Sequence, residues 1–307
     1  MRNINLDLIR VTEAAAIAAS KWVGSGNKEL ADKAATDSMR SRLNRIVMDG
    51  TIVIGEGEKD ESYGLFGGER VGSSPETSEA IAYDIAVDPI EGTTPTVTSG
   101  PEAISTMSVS KSGCMYSTDY FYTRKLAYGP KIKSRVTLSL SDSLDKIVEL
   151  TAKAIDKELS EVTVCILDRP RHDKDIKLLR ELGVRIKLIK DCDVSGAVAT
   201  CLRESGVDLL YGIGGAPEAV LSACAIKCLG GDFQCQDVNK AENWKSVSPV
   251  LGVEDLVKGP CVFVATGITT GSILRGVRWT SHGPVTNSVF MRSESGTVRW
   301  LEVNHGN

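Results

Sequence analysis

The spacing of apolar residues changes character along this chain. Near the N-terminus it is helical: Leu8, Val11, Ala15, Ala18 and Trp22 line one face behind Asp7 as a cap, and Gly24 and Gly26 end it. Asn27 opens a second helix, predicted over residues 28–48, whose stripe is Ala31, Ala34, Ala35, Met39, Leu43 and Ile46. An Asp49-Gly50 turn leads into Thr51-Ile52-Val53-Ile54, a buried strand, and the mostly apolar residues 81–87 predict another. Residues 104–110 alternate with period two, Lys111-Ser112-Gly113 turns the chain back into 114–128, and 135–140 read as a further strand. An amphipathic helix follows over 142–157. This half predicts helices packed on a largely antiparallel sheet.

From Glu161 the rhythm becomes strand, loop, helix. Strands are predicted over 162–167, 184–189 and 207–211, with helices reaching residues 182, 205 and about 229. Repeats of that unit predict a mostly parallel sheet with ligands at the carboxyl ends of its strands. The loops at those ends are Asp168-Arg169-Pro170-Arg171-His172-Asp173, Lys190-Asp191-Cys192-Asp193 and Gly212-Ile213-Gly214-Gly215-Ala216-Pro217-Glu218. Residues 232–255 read as irregular and polar, with Phe233 and Trp244 as aromatic anchors, and 261–265, 277–279, 289–292 and 298–303 as closing strands. The fold class is therefore α/β. Its two halves, 1–157 and 158–307, are expected to form one compact unit.

Composition narrows the function classes. Over 307 residues, 42% hydrophobic and 25% charged content suit an ordinary globular protein with a sizeable core. A net charge of −4 gives no footprint for nucleic acid or an anionic membrane. The apolar runs, such as 260–265, are strand-sized, and Met1-Arg2-Asn3-Ile4-Asn5 lacks a signal-peptide core, so a cytoplasmic location is expected. The eight cysteines form no CxxC pair; Cys224 and Cys228, four apart, are a weak metal spacing, and most of the eight read as small buried residues. With three histidines in all, any metal must rely on carboxylate oxygens, which favours Mg²⁺ or Mn²⁺ over zinc.

The chemistry gathers around Asp88-Pro89-Ile90-Glu91-Gly92-Thr93. Pro89 and Gly92 break the preceding strand into a turn, and two carboxylates three residues apart repel unless a cation lies between them. Thr93 adds a hydroxyl beside backbone amides open to an anion. An ordinary polar turn explains the same residues equally well. Lys28 and Asp32, four apart on a helix, are either a surface ion pair or a phosphate and metal pair. Glu56 stands between two glycines directly after a strand, and Glu218 opens a helix next to Pro217. Arg169 and Arg171 flank Pro170 with two guanidinium forks suited to phosphate. Asp191 and Asp193 suit sugar hydroxyls or helix capping, and His172 reads as a polar residue at a helix start. The Gly212-to-Pro217 run fails the dinucleotide fingerprint because Pro217 replaces its third glycine.

Taken together, Lys28 and Asp32, Gly55-Glu56-Gly57-Glu58, the Asp88-to-Thr93 motif, Pro170-Arg171-His172-Asp173 and the 211–218 loop resemble the class II fructose-1,6-bisphosphatases, in the same order over residues 7–280. Asp-Pro-Ile-Glu-Gly-Thr is shared with lithium-sensitive sugar and inositol phosphatases; the Gly-Gly-Ala-Pro-Glu loop and the Lys28 helix narrow the match. The resemblance implies a layered α/β/α/β/α sandwich that uses Mn²⁺ or Mg²⁺ to hydrolyse the C1 phosphate of fructose-1,6-bisphosphate, in a homo-oligomer (dimer or tetramer). Carried over by motif, Asp32 and Glu56 bind one metal and Asp88, Glu91 and Glu218 the other, with Lys28 and Thr93 catalytic. Glu91, Gly92, Thr93, Tyr122, Arg169, Pro170, Arg171, Asp191, Cys192, Asp193 and Gly215 hold the substrate. The chain departs from the family's pattern in a longer loop between residues 71 and 84, in Pro95, and in a shorter 232–258 region. Sedoheptulose-1,7-bisphosphate or an inositol phosphate is the alternative substrate, and a non-catalytic sugar-phosphate sensor the alternative class.

Overall fold

Strands with apolar side chains on both faces need a cover on each side, and alternation within single strands assigns those covers here. The computed structural model describes residues 5–55, 64–73, 81–118 and 120–306. Helices α1 (Asn5–Ser20) and α2 (Lys28–Leu43) precede β1 (Asp49–Ile54), β2 (Arg70–Val71), β3 (Ala82–Glu91), α3 (Thr93–Thr98) and β4 (Ile104–Lys111). The chain continues through β5 (Tyr122–Tyr128), α4 (Pro130–Lys133), α5 (Leu144–Ile155), β6 (Thr163–Leu167), α6 (Asp173–Glu181), β7 (Arg185–Ile189) and α7 (Asp193–Ala199). Then come β8 (Leu209–Gly215), α8 (Ala216–Leu229), β9 (Asp232–Asn239), β10 (Lys245–Ser246), β11 (Leu251–Gly252) and α9 (Val253–Leu256). The last strands are β12 (Cys261–Gly267), β13 (Arg278–Thr280), β14 (Gly283–Arg292) and β15 (Thr297–Asn304).

The first sheet runs β2-β1-β3-β4-β12-β14-β13, with β15 also on β14. Its pairs are antiparallel except β1 with β3. The second runs β7-β6-β8-β5-β9-β10, with β11 also on β9. Pairing there is parallel within β7-β6-β8, where the strand-loop-helix units lie, and antiparallel elsewhere. The closing strands β12–β15 belong to the first sheet, so both ends of the chain build it.

Period-two alternation sorts the core. Ile85, Val87, Val262 and Val264 face α1 and α2, where Leu8, Val11, Ala31 and Ala35 meet them. Their neighbours Ala86, Phe263 and Ala265 face inward, onto α7 and α8. From the second sheet Ala127, Cys165 and Leu167 close on the same helices. Leu126, Tyr128, Val164 and Ile166 point outward to α5 and α6, against Ile147, Val148, Ile176 and Leu179. The order is α/β/α/β/α, the sandwich expected. Central α8 is buried from Ala219 through Ile226, as a helix with apolar residues all round must be. Among the described residues no helix is long and apolar enough to cross a membrane.

Several local expectations are corrected. Residues 135–140 are not a strand. Side chains satisfy their backbone: Leu138 N donates to Tyr128 Oη (3.3 Å), Leu140 N to Gln234 Oε1 (3.0 Å), and Gln234 Nε2 to Leu138 O (2.6 Å). Residues 232–239, read as irregular, are β9; its inner positions Phe233, Cys235 and Asp237 mix apolar and polar types and hide the alternation. Asp49 and Gly50 belong to β1, and α2 ends at Leu43, five residues before the expected end at residue 48. Strand β3 does not stop at Val87 but runs on to Glu91.

Phe263 of β12 is fully buried and belongs to the core cluster that includes α7 and α8. Truncation to Ala is expected to cost about 3–5 kcal/mol, measured as a lower denaturant midpoint at unchanged slope.

Candidate active site

The centre of the site is built by a strand that bulges. Asp88 pairs with Thr106 of β4 and Glu91 with Ile104, so three steps along β3 match two along β4. Pro89 sits in that bulge, where its missing N–H costs no ladder bond. Asp88 Oδ1 accepts from Ile90 N at 3.0 Å, which fixes the turn from within. Gly92 then takes φ +100°, and a Cβ there would run into Cys192 Sγ. Only glycine meets both conditions.

Glu218 enters from the other sheet, in the first turn of α8 behind Gly215, Ala216 and Pro217. One carboxylate oxygen from each of Asp88, Glu91 and Glu218 lies within 4.8 Å of the others. Burial pushes the Glu91 carboxyl well above the usual range, and Asp193, Asp88 and Glu218 push it the same way. Val194 N–H, donating to Glu91 Oε1 at 2.8 Å, is the counterweight. Burial also raises Glu218, against the pull of Lys125, and Glu218 Oε2 is buried with no hydrogen-bond partner among the described residues. Oxygen-only donors, mutual repulsion and an orphaned buried oxygen fit a hard divalent cation, with nothing soft in the set.

Helix α2 brings the next group. Its first turn lies beside α3, so Thr93 Oγ1 donates to Asp32 Oδ1 (3.0 Å) and Lys28 Nζ donates to Thr94 Oγ1 (2.8 Å). Lys28 and Asp32 thus both reach the threonine pair that follows Gly92. Glu56, the remaining carboxylate singled out in the sequence, lies outside the described residues.

Loops at the carboxyl ends of β6 and β7 complete the wall. Asp191 accepts from Arg169 Nη2 (2.5 Å) and from Thr94 N (3.2 Å), which ties the second sheet to the motif after β3. Cys192, at φ +74°, is buried and donates Sγ–H to Glu91 O at 3.6 Å. Asp193, also buried, is held at 2.5 Å by Lys125 Nζ, so its carboxylate faces an ammonium. Arg171 donates Nε and Nη2 to Ile213 O (2.9 and 2.7 Å) and lies 5.4 Å from the Tyr122 ring centre. Tyr122 is paired across β5 and β8 with Gly215, the cap of α8. Pro170 opens the 3₁₀ turn that aims Arg171.

One residue escaped the sequence reading, and a second, expected at a helix start and found there, is buried beyond what the sequence suggests. Lys125 is 1% exposed on the inner face of β5 between Thr123 and Ala127. Burial disfavours its ammonium, yet Asp193, Glu218 and Glu91 together raise its pKa. A lysine in phase with inward positions was the available signal. The second is His172, fully buried, with Nδ1–H donating to Leu167 O (2.8 Å) and Nε2 accepting from Ile213 N (2.7 Å). It is a neutral brace for the carbonyl that Arg171 uses.

Gly92→Ala is expected to remove most activity and lower the melting temperature, because φ and Cys192 both oppose it. Lys125→Met leaves Asp193 buried without its cation and is expected to cost about 3–5 kcal/mol in denaturant unfolding, with Asp193→Asn in the same chain regaining part. Burial lowers the His172 pKa below its unfolded value. Below about pH 6.5 the unfolded chain therefore binds more protons at this position. The His172 contribution is fully present above that pH and fades as pH falls towards the folded value. A melting curve series from pH 7.5 to 5 should show a downward slope that His172→Gln flattens.

The family model for bacterial fructose-1,6-bisphosphatase, glpX-encoded, matches residues 2–305. A protein of Escherichia coli (strain K12), fructose-1,6-bisphosphatase 1 class 2, is 40% identical over 329 aligned positions, covering 99% of this chain and 95% of the relative. The fructose-1,6-bisphosphatase class 2 proteins of Escherichia coli O6:H1 and of Shigella flexneri match at the same identity and coverage.

Proposed function

The chain belongs to the bacterial, glpX-encoded fructose-1,6-bisphosphatase family, and we propose that the carboxylate cluster at Asp88, Glu91 and Glu218 is where it works. It hydrolyses the C1 phosphate of fructose-1,6-bisphosphate to fructose 6-phosphate and phosphate, a step of gluconeogenesis. The observation that carries the site assignment is the trio of carboxylate oxygens within 4.8 Å, together with a Glu218 oxygen that is buried with no hydrogen-bond partner among the described residues.

In this reading Asp88, Glu91 and Glu218 hold one divalent cation, Mg²⁺ or Mn²⁺, and Asp32 with Glu56 hold a second. When bound, the cations supply Lewis-acid neutralisation of phosphate charge. The remaining work falls to the protein. Thr93 Oγ1, donating to Asp32 Oδ1 at 3.0 Å, keeps its lone pairs free to receive a hydrogen bond from the attacking water. Proton flow then runs from water to Thr93 and from Thr93 to Asp32, along a hydrogen bond that is already aligned. Lys28 Nζ, anchored 2.8 Å from Thr94 Oγ1, offsets charge that builds on the transferring phosphate. Arg169 and Arg171 take the second phosphate, and Asp191 positions Arg169 against the motif after β3. Arg171 serves well because its half-buried guanidinium competes with less water than an exposed one.

Purified protein with Mg²⁺ or Mn²⁺ should release phosphate from fructose-1,6-bisphosphate, and chelation should stop it. Sedoheptulose-1,7-bisphosphate and an inositol monophosphate, run in parallel, test substrate range. Thr93→Val is expected to lower kcat by roughly 10²–10⁴, the range of general acid–base help. Glu91→Gln is expected to raise the metal concentration needed for half activity. Near-normal turnover in Glu91→Gln would remove the metal assignment, and absence of metal-dependent release would favour a sugar-phosphate sensor.

A further inference from the structure

Trp244 occupies a backbone conformation that a bulky side chain rarely takes. Asn239 accepts from Ala241 N at 2.9 Å and starts a 3₁₀ turn over Lys240–Glu242. Asn243 and Trp244 follow at φ +56° and +63°, both left-handed. Trp244 N closes the turn on Asn239 O at 2.9 Å, and β10 then pairs Lys245 with Asn239 and Ser246 with Val238. Such a conformation persists only where its surroundings over-determine it, and it tends to mark a site where a side chain must be delivered.

What this turn delivers is an indole against Arg171. The Arg171 guanidinium carbon lies 5.4 Å from the Trp244 ring centre and 5.4 Å from that of Tyr122. The two rings meet edge to face, 5.2 Å apart at 81°. Meanwhile Arg171 spends Nε and Nη2 on Ile213 O, and Nη1 makes no hydrogen bond to the described residues. A guanidinium with two rings beside it and two nitrogens fixed has lost most of its rotational freedom before any ligand arrives. The edge formed by Nη1 and the second N–H of Nη2 is left for a ligand.

We propose that Trp244 is a positioning residue that sets the preference of this enzyme for bisphosphates, by holding Arg171 for the phosphate that is not cleaved. The inference rests on the reading above that Arg171 takes that phosphate. A sugar phosphate with only the scissile group gains nothing from the Trp244 turn. A bisphosphate of matching length gains a charge-assisted contact whose ordering cost has been met by the fold.

The test compares fructose-1,6-bisphosphate with fructose 1-phosphate, which lacks the distal phosphate, on the Mg²⁺-loaded enzyme. In Trp244→Ala the ratio of kcat/KM for the bisphosphate over the monophosphate should fall about tenfold, through KM more than kcat. Trp244→Phe should restore most of the ratio. Arg171→Ala should lower it at least as far, and Trp244→Ala added to Arg171→Ala should lower it no further. An equal loss on both substrates in Trp244→Ala would make the indole merely structural and overturn the proposal. A full ratio in Trp244→Ala beside a reduced one in Arg171→Ala would overturn this role alone. A full ratio in Arg171→Ala would overturn both the phosphate assignment and the role built on it.

Discussion

Like charges crowded away from water are the constraint around which this molecule is arranged. Asp88, Glu91, Glu218 and Asp193 repel one another, and burial removes the solvent that would otherwise mute the repulsion. The chain answers with a few well-placed donors instead of dispersing the charges. Lys125 faces Asp193, Val194 N–H faces Glu91, and Glu218 Oε2 is buried with no hydrogen-bond partner among the described residues. Each answer comes from a different element, so the carboxylates can stay together only while β3, β5, α7 and α8 hold their places. Stability of the fold and readiness of the site are therefore the same requirement.

The five-layer arrangement explains how distant residues meet. Asp88 and Glu91 leave the first sheet at a bulge, while Asp191, Asp193 and Glu218 leave the second at strand ends and helix starts. The helices α7 and α8 that separate the sheets both bring their first turns to Glu91, through Val194 N and the Glu218 carboxylate. Two left-handed residues, Gly92 and Cys192, fit against each other there, which lets the two backbones approach closely enough for Cys192 Sγ to reach Glu91 O. Arg171 and its aromatic neighbours lie beyond, attached through Ile213 to the brace of His172.

What could be read from the chain was what the chain states locally. Asp88 to Thr93 is contiguous, so its chemistry shows in one line of letters; the strand-loop-helix rhythm likewise exposes Arg169, Asp191 and Glu218 at loop positions. The resemblance to a known family supplied the grouping of these residues, which spacing alone left open. Lys125 was missed because its burial follows from the register of β5 against β8, a long-range fact. Trp244 was seen only as an aromatic anchor, since its meaning depends on a tight turn built by Asn239 and two left-handed residues. The false strand at 135–140 had the right apolar spacing; Tyr128 and Gln234 claimed its backbone instead. Polar residues in inward phase concealed β9 for the opposite reason.

The place of β12 in the first sheet has a temporal side. Strand β4 ends at Lys111 and takes as its neighbour β12, which begins only at Cys261. During synthesis at about 5–20 residues per second, that edge waits roughly eight to thirty seconds for its partner. Throughout the wait, Met107 and Val109 belong to an unfinished surface, and the carboxylates at the end of β3 rest on a sheet half its final width. A nascent chain of this design is most vulnerable to aggregation and to chaperone capture in its middle third, well before the ribosome reaches β12.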